Sequence, residues 1–352
     1  MTIPFSILDL APIASHGTPG EALASTTELA RRAEALGYHR FWVAEHHAMP
    51  AIASSAPAVL IAHLAAATST IRIGSGGVML PNHAPLVVAE QFGMLEALHP
   101  HRIDLGIGRA PGTDPRTALA LRRTAEGLGA EDFPYELMDV IGMLSGDPDR
   151  LPATPLAPEL PEIWLLGSSG YSAQLAGILG LPFSFAHHFS SDNTEPALAL
   201  YRDRFRPSQW LDHPHTMIAV NAIVADSDER AEWLSRPGIV SFLKLRAGAP
   251  QPLMHPEEAA KYRFSPEELA FVEHRRRGQL LGSPTTVSTQ LSALLDRTGA
   301  DEIMATNQVY DLTDRLHSYE LLARVAGLPD LGSKRPGEAS EALPDTEKKV
   351  AT

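Results

Sequence analysis

The sequence predicts an α/β fold, a (β/α)8 TIM barrel with insertions after its fourth and seventh strands, on three observations. Eight short β-prone runs alternate with helical patterns over about 330 of the 352 residues, as repeated strand–helix units require. Several runs, 5–10 and 162–166 among them, are almost continuously apolar, as parallel strands covered on both faces are. No glycine-rich dinucleotide loop follows the first run, which argues against an open doubly wound sheet.

Taken in order, the run at 5–10 leads to a helical pattern in which Ala22, Thr26, Leu29, Ala33 and Leu36 recur at steps of four and three until Gly37 ends it. The second run, 40–44, ends in Glu45-His46-His47. The third, 71–80, holds Gly74-Ser75-Gly76-Gly77 and precedes a helix from Pro85 with Val88, Phe92, Leu95 and Leu98 on one face. The fourth, 102–106, closes on Gly106-Ile107-Gly108-Arg109. Residues 109–161 are too long for a loop and carry a helix, a second helical stretch at 134–144 and a proline-rich run.

The fifth run, 162–166, ends in Gly167-Ser168-Ser169-Gly170 before a helix at 173–179, and the sixth, 182–187, ends in His187-His188. After the seventh, 216–225, comes the second insertion, 226–284, with two or three helices including one at 266–277. The eighth, 301–306, leads to Asn307-Gln308 and a helix from Asp311 that Gly327-Leu328-Pro329 stops. Residues 1–330 thus read as one barrel domain, and the polar, aperiodic segment 331–352 as a disordered tail.

Composition narrows the function. The chain is 44% hydrophobic and 20% charged, enough to bury a sizeable core. Its 29 Lys and Arg against 42 Asp and Glu leave a net charge of -13, which argues against nucleic acid or an anionic membrane as partner. With no cysteine, disulfides, thiol nucleophiles, iron–sulfur clusters and cysteine-ligated zinc are excluded. The start of the chain lacks a signal-peptide pattern and no apolar run is long enough to span a bilayer, so a soluble, cytoplasmic protein is expected.

In a barrel the chemistry gathers at the C-terminal strand ends, and here those ends collect glycine, serine, histidine and arginine. Gly167-Ser168-Ser169-Gly170-Tyr171-Ser172, just ahead of a helix, offers hydroxyls and free backbone N–H groups to a phosphate; simple N-capping by a serine explains it equally well. Arg109 can supply a forked counter-charge, or a structural salt bridge at the rim. Gly76-Gly77 permits the close approach of a flat ligand, or a bulge. His46 can act as base or proton donor, with Glu45, His47, His187 and His188 nearby. Consecutive histidines on a strand face opposite ways and no His-x-His pair opens the barrel, so no metal site is expected. The chain has no Gly-x-Ser-x-Gly elbow and no Walker lysine, and Gly106, Gly108 and Gly112 miss the dinucleotide spacing.

Several segments carry a more specific pattern: Phe41-Trp42-Val43-Ala44-Glu45-His46-His47, Ile71-Arg72-Ile73-Gly74-Ser75-Gly76-Gly77-Val78-Met79-Leu80-Pro81, Ala89-Glu90-Gln91-Phe92, Arg102-Ile103-Asp104-Leu105-Gly106-Ile107-Gly108-Arg109, Trp164-Leu165-Leu166-Gly167-Ser168-Ser169-Gly170-Tyr171-Ser172 and Gly299-Ala300-Asp301-Glu302. Together they resemble the luciferase-like family of flavin-dependent monooxygenases, in particular its single-chain bacterial members, from the start of the chain to Leu328. The resemblance implies a two-component FMN-dependent monooxygenase: a separate flavin reductase supplies reduced FMN, O2 adds to form a flavin peroxide, and a small organic substrate is oxidised.

It further implies that His46 is the catalytic base or stabiliser, and that Gly76-Gly77 is a non-proline cis peptide beneath the flavin ring. Glu45, Gly76, Gly77, Arg109, Ser168, Ser169, Gly170, Tyr171 and Ser172 are the implied cofactor-binding set. From the long loops themselves, His188 and Phe189 are expected in the substrate pocket, with Trp210 and the helices after Asp226 as further walls. A homodimer is compatible with the family. Three other readings share the pattern: an F420-dependent hydride-transfer enzyme, a non-catalytic flavin-binding protein, and a metal-dependent barrel hydrolase built on the histidines.

Overall fold

A computed structural model of the protein describes residues 3–122 and 131–332. Its parallel strands are β1 (Phe5–Asp9), β2 (Arg40–Val43), β3 (Arg72–Ser75), β4 (Val78–Met79), β5 (Ile103–Gly108), β6 (Glu162–Gly167), β7 (Phe183–Phe185), β8 (Thr216–Val224), β9 (Leu280–Gly282) and β10 (Glu302–Thr306). All but β4 and β9 form a closed barrel of eight, in which β10 pairs with β1 through Phe5 opposite Ile303 and with β8 through Met217 opposite Glu302. The eight expected runs are the eight barrel strands.

The helices are α1 (Pro19–Ala35), α2 (Pro57–Ala67), α3 (Pro85–Leu98), α4 (Pro115–Ala120), α5 (Phe133–Ser145), α6 (Gly170–Leu179), α7 (Thr194–Arg204), α8 (Asp228–Arg246), α9 (Pro256–Lys261), α10 (Pro266–Arg276), α11 (Pro284–Thr298) and α12 (Leu312–Ala326). The first insertion carries α4 and α5, and the second carries α8, α9, α10 and β9. Among the described residues no helix is long and apolar enough to cross a membrane. The expected tail lies outside the described residues except for its first two, where the Leu331 N–H donates to Ala35 O on α1 (2.8 Å).

Two differences from the sequence reading have local causes. The run at 71–80 is two short strands, not one, because the Gly76–Gly77 peptide between them is cis and interrupts the pleat. The three-residue β9, which extends the far end of β8 beyond the barrel, is too short to show a period.

Strand alternation builds two cores. Phe5 and Ile7, Phe41 and Val43, Ile103 and Leu105, and Ile303 and Ala305 face outward to the helices. The intervening Leu8, Trp42, Trp164, Met217 and Met304 fill the barrel interior. Beneath them, toward the N-terminal ends of the strands, lies a layer of charge. Arg40 Nη1 donates to Asp104 Oδ2 (2.9 Å) and its Nε to Glu302 Oε1 (2.9 Å), while Arg72 Nε donates to Asp104 Oδ1 (2.7 Å). Trp42 Nε1 adds a bond to Asp104 (2.8 Å), and Arg40 lies 4.9 Å over the ring of Trp164. Arg40, Asp104 and Glu302 are essentially inaccessible, so each depends on the others for the solvation it has lost.

Burial raises the Glu302 carboxyl, but Arg40, with the nearby His215 and the hydrogen bond from Ser6, outweighs it and holds the group at about 2. A depressed carboxyl stabilises the fold above its unfolded value and loses that contribution as pH falls toward the folded one. Stability is therefore expected to drop between about pH 4.5 and 2, and Glu302→Gln to flatten that part of the curve, as followed by fluorescence. Arg40→Met strands the buried Glu302 carboxylate and takes one of its two arginines from Asp104, and is expected to cost about 3–5 kcal/mol in urea unfolding.

Candidate active site

The C-terminal ends of the barrel strands surround a cavity of about 350 Å³. Leu8, Trp42, Leu166 and Met304 form its apolar floor, and the rim is built from the glycine and serine turns after β3, β5 and β6. The cis Gly76–Gly77 peptide lies on one wall. A Cβ on Gly77 would stand 2.8 Å from Gly106 O, so only glycine lets this backbone line the space so closely.

His46 lines the cavity directly after β2. Its Nδ1 donates to the carbonyl of Gly112 (3.0 Å), an acceptor only, which fixes the tautomer and leaves the Nε2 lone pair available. Gly112 takes φ +64° to present that carbonyl, and a Cβ there would stand 2.7 Å from Glu45 O. Burial lowers the pKa of His46 despite the Gly112 bond and the charge of Glu45. His188 repeats the arrangement across the cavity: Nδ1 donates to Ala219 O (2.9 Å), and burial with the nearby charge of Arg275 pushes the ring down to about 4. The cavity thus holds two neutral imidazoles, each with a free Nε2.

Of each histidine pair, one member reaches this cavity. His47 turns back to Glu45 (2.8 Å), and His187 turns to Thr194 Oγ1 (2.7 Å). Glu45 itself, expected among the cofactor ligands, does not line the cavity. Its buried carboxylate accepts from the Met79 N–H (2.9 Å), Asn82 Nδ2 (2.9 Å), His47 and His83 (2.9 Å), and so supports the wall behind the cis peptide. Glu45, His47 and His83 are the one group of three among the described residues with ligand atoms close enough for a metal, and these same atoms are taken up by those bonds.

The serine turn sits at the open edge. Ser169 is the N-cap residue of α6, yet its hydroxyl makes no capping bond, so simple capping does not account for it. Ser168, Ser169 and Ser172 line the cavity beside the free N–H groups of the helix. Arg109 lines it too, its guanidinium 4.1 Å over the Tyr171 ring. Gly170 and Tyr171 stand behind this lining rather than in it. Phe189 lines the cavity, whereas Trp210 does not, its N–H being held by Ser208 Oγ (2.9 Å) on the loop after α7.

The site is thus the mouth of a parallel barrel with an apolar floor, serine hydroxyls and an arginine at its edge, and two uncharged imidazoles. The chain belongs to the luciferase-like monooxygenase family, whose model matches residues 3–302. It is 49% identical over 323 residues to the luciferase-like monooxygenase of Escherichia coli K12, covering 91% of this chain and 96% of that one. Among solved structures, apo-MsnO8 superposes with a TM-score of 0.87 at 37% identity, covering 93% of this chain and 99% of that chain. The oxygenating constituent of 3,6-diketocamphane monooxygenase from Pseudomonas putida, a type II Baeyer–Villiger enzyme in complex with FMN, shares the fold at a TM-score of 0.68 and 19% identity, over 93% of this chain and 98% of that one.

The idle hydroxyl of Ser169 has a measurable signature. Ser265 does cap α10, accepting from the Glu268 N–H (3.2 Å), so Ser265→Ala is expected to cost about 1 kcal/mol in urea unfolding. Ser169→Ala is expected to cost less than about 0.5 kcal/mol in the same assay.

Proposed function

We propose that this chain is the oxygenase component of a two-component FMN-dependent monooxygenase, which receives reduced FMN from a separate flavin reductase and uses O2 to oxidise a small organic substrate. The observation that carries the reading is one cavity lined by Ser168, Ser172, the uncapped Ser169 and Arg109 at its edge, by the Gly76–Gly77 wall and by His46. The FMN-bound enzyme among the structures of this fold supports the choice of cofactor.

When bound, FMN would supply the electrons and the oxygen chemistry. Arg109 and the serine hydroxyls would hold its phosphate at the open edge. Gly76 and Gly77 would admit the flat ring, and Leu8, Trp42, Leu166 and Met304 would keep water from it. His46, neutral because burial lowers its pKa, would accept and hold a proton at Nε2.

Arg109→Ala is expected to weaken FMN about tenfold or more while leaving riboflavin, which lacks the phosphate, nearly unchanged in fluorescence titration. Equal losses would remove the phosphate assignment. His46→Ala is expected to lower substrate oxidation by about 100-fold or more at unchanged FMN affinity. Oxidation that depends on neutral His46 is expected to persist as pH falls through 6.5 and to fail only below it, since the pKa is lowered. The deciding experiment is anaerobic titration with reduced FMN followed by mixing with oxygenated buffer. A transient absorbance distinct from both reduced and oxidised FMN supports the reading; binding of F420 in place of FMN would make the enzyme a hydride-transfer catalyst instead.

A further inference from the structure

A second cavity, of about 440 Å³, opens where the loop after β7 meets α8 and α10. His188 and Phe189 line both it and the first cavity, so the two spaces share a wall. A smaller space of about 90 Å³ joins the same region to the barrel mouth, between Leu10 and Thr306 on one side and Arg275 and Gln279 on the other. The Oγ1 of buried Thr306 there has no hydrogen-bond partner.

The second cavity has an unusual arrangement of charge. Phe242 on α8 and Phe271 on α10 stack face to face, 5.9 Å apart and inclined by 7°. Arg275 lies 3.8 Å over Phe242 and Arg246 lies 3.9 Å over Phe271. Neither guanidinium has a carboxylate or a hydrogen-bond partner among the described residues, although the chain as a whole carries a net charge of -13. Their neighbours do have partners: Arg276 Nη2 pairs with Glu232, and Arg236 donates to the carbonyls of Ala259 (2.7 Å) and Tyr262 (2.8 Å). The acid on the cavity wall, Asp192, faces His274 at 3.2 Å.

Stacking on a ring holds a guanidinium flat and leaves its in-plane N–H groups pointing away, the geometry for a planar or tetrahedral oxyanion. The two like charges also oppose one another. Burial and Arg246 together lower the pKa of Arg275, a repulsion that an anion between them would relieve.

We infer that Arg275 and Arg246 form a binding site for the acid group of the substrate, an anionic headgroup whose apolar body extends past Phe189 and His188 into the first cavity. The substrate class is therefore an organic acid with an apolar chain or ring, its oxidised carbon remote from the acid. This inference rests on the flavin reading of the first cavity. It adds a second anion site, distinct from the Arg109 cradle and on the far side of His188.

The test uses the full chain saturated with FMN and titrates it calorimetrically with octanoate, octanesulfonate and octyl phosphate, and with octanol and octylamine. The anions are expected to bind about tenfold or more tightly than octanol, with octylamine weakest. The strongest anion of the three identifies the acid as carboxylate, sulfonate or phosphate. Arg275→Met and Arg246→Met, on separate helices and both long enough to keep the ring contact, are expected to weaken the anions about tenfold or more and to spare octanol and FMN. Arg275→Lys, which keeps the charge without the fork, is expected to fall between them. Octanol binding as well as the anions, no probe binding at all, anion affinity unchanged in both Met variants, or FMN affinity lost in Arg275→Met would each overturn the assignment. The titrations are repeated without FMN, so a chain that fails to bind FMN refutes the flavin reading, while Arg275-dependent octanoate binding still judges this one.

Discussion

The closed half of the barrel is held by a buried group of charges that must neutralise one another, and the open half depends on that closure. Arg40, Arg72, Asp104 and Glu302 come from four strands, β2, β3, β5 and β10, so satisfying their charges fixes the relative placement of those strands. Trp42 transmits the constraint upward. Its ring nitrogen is tied to Asp104 below, and its ring forms the floor of the cavity above. A buried ion group is a weak source of net stability but a strong source of registry, because a displaced strand would leave a charge without solvent or partner.

The same economy governs the mouth. Polar groups on its wall are committed where they serve the scaffold and free where they face the cavity. Glu45 gives all its capacity to the Met79 N–H, Asn82 and two histidines. His46 and His188 instead spend only Nδ1 on backbone carbonyls. The uncapped Ser169, and Arg275 on the adjoining cavity, which has no carboxylate or hydrogen-bond partner among the described residues, extend the pattern to hydroxyl and guanidinium groups. A buried or half-buried polar group left without a protein partner costs free energy, so the scaffold bears that cost where such groups border the two cavities.

Much of this was legible in the sequence where the signal is local. The eight β-prone runs match the eight barrel strands, and the residue types at their ends located the rim, including His46, Arg109 and the serine turn. Local signals failed in three ways. The sequence of α2, PAVLIAHLAAA, is apolar nearly all round and has no stripe to mark it as a helix. Glu45 sits in a motif beside His46, but which neighbour faces the cavity depends on the loop carrying Asn82 and His83, more than thirty residues on. The Phe242–Phe271 stack and its two arginines join helices separated by the irregular stretch around α9, and nothing in either helix alone announces the pairing. Trp210 misled for the converse reason: a large aromatic near the barrel mouth in sequence is fixed elsewhere by its own turn.

The pairing of β10 with β1 has a consequence for how the chain is made. Arg40 leaves the ribosome 262 residues ahead of Glu302, the partner that completes its neutralisation, and Ser6 leads the same carboxylate by 296. Until the last strand emerges, the nascent sheet has unpaired edges at β1 and β8, together with an incompletely compensated charge on β2. The seam of the barrel is therefore also its last joint to form during synthesis. A growing chain of this fold gains a closed interior only in its final stretch.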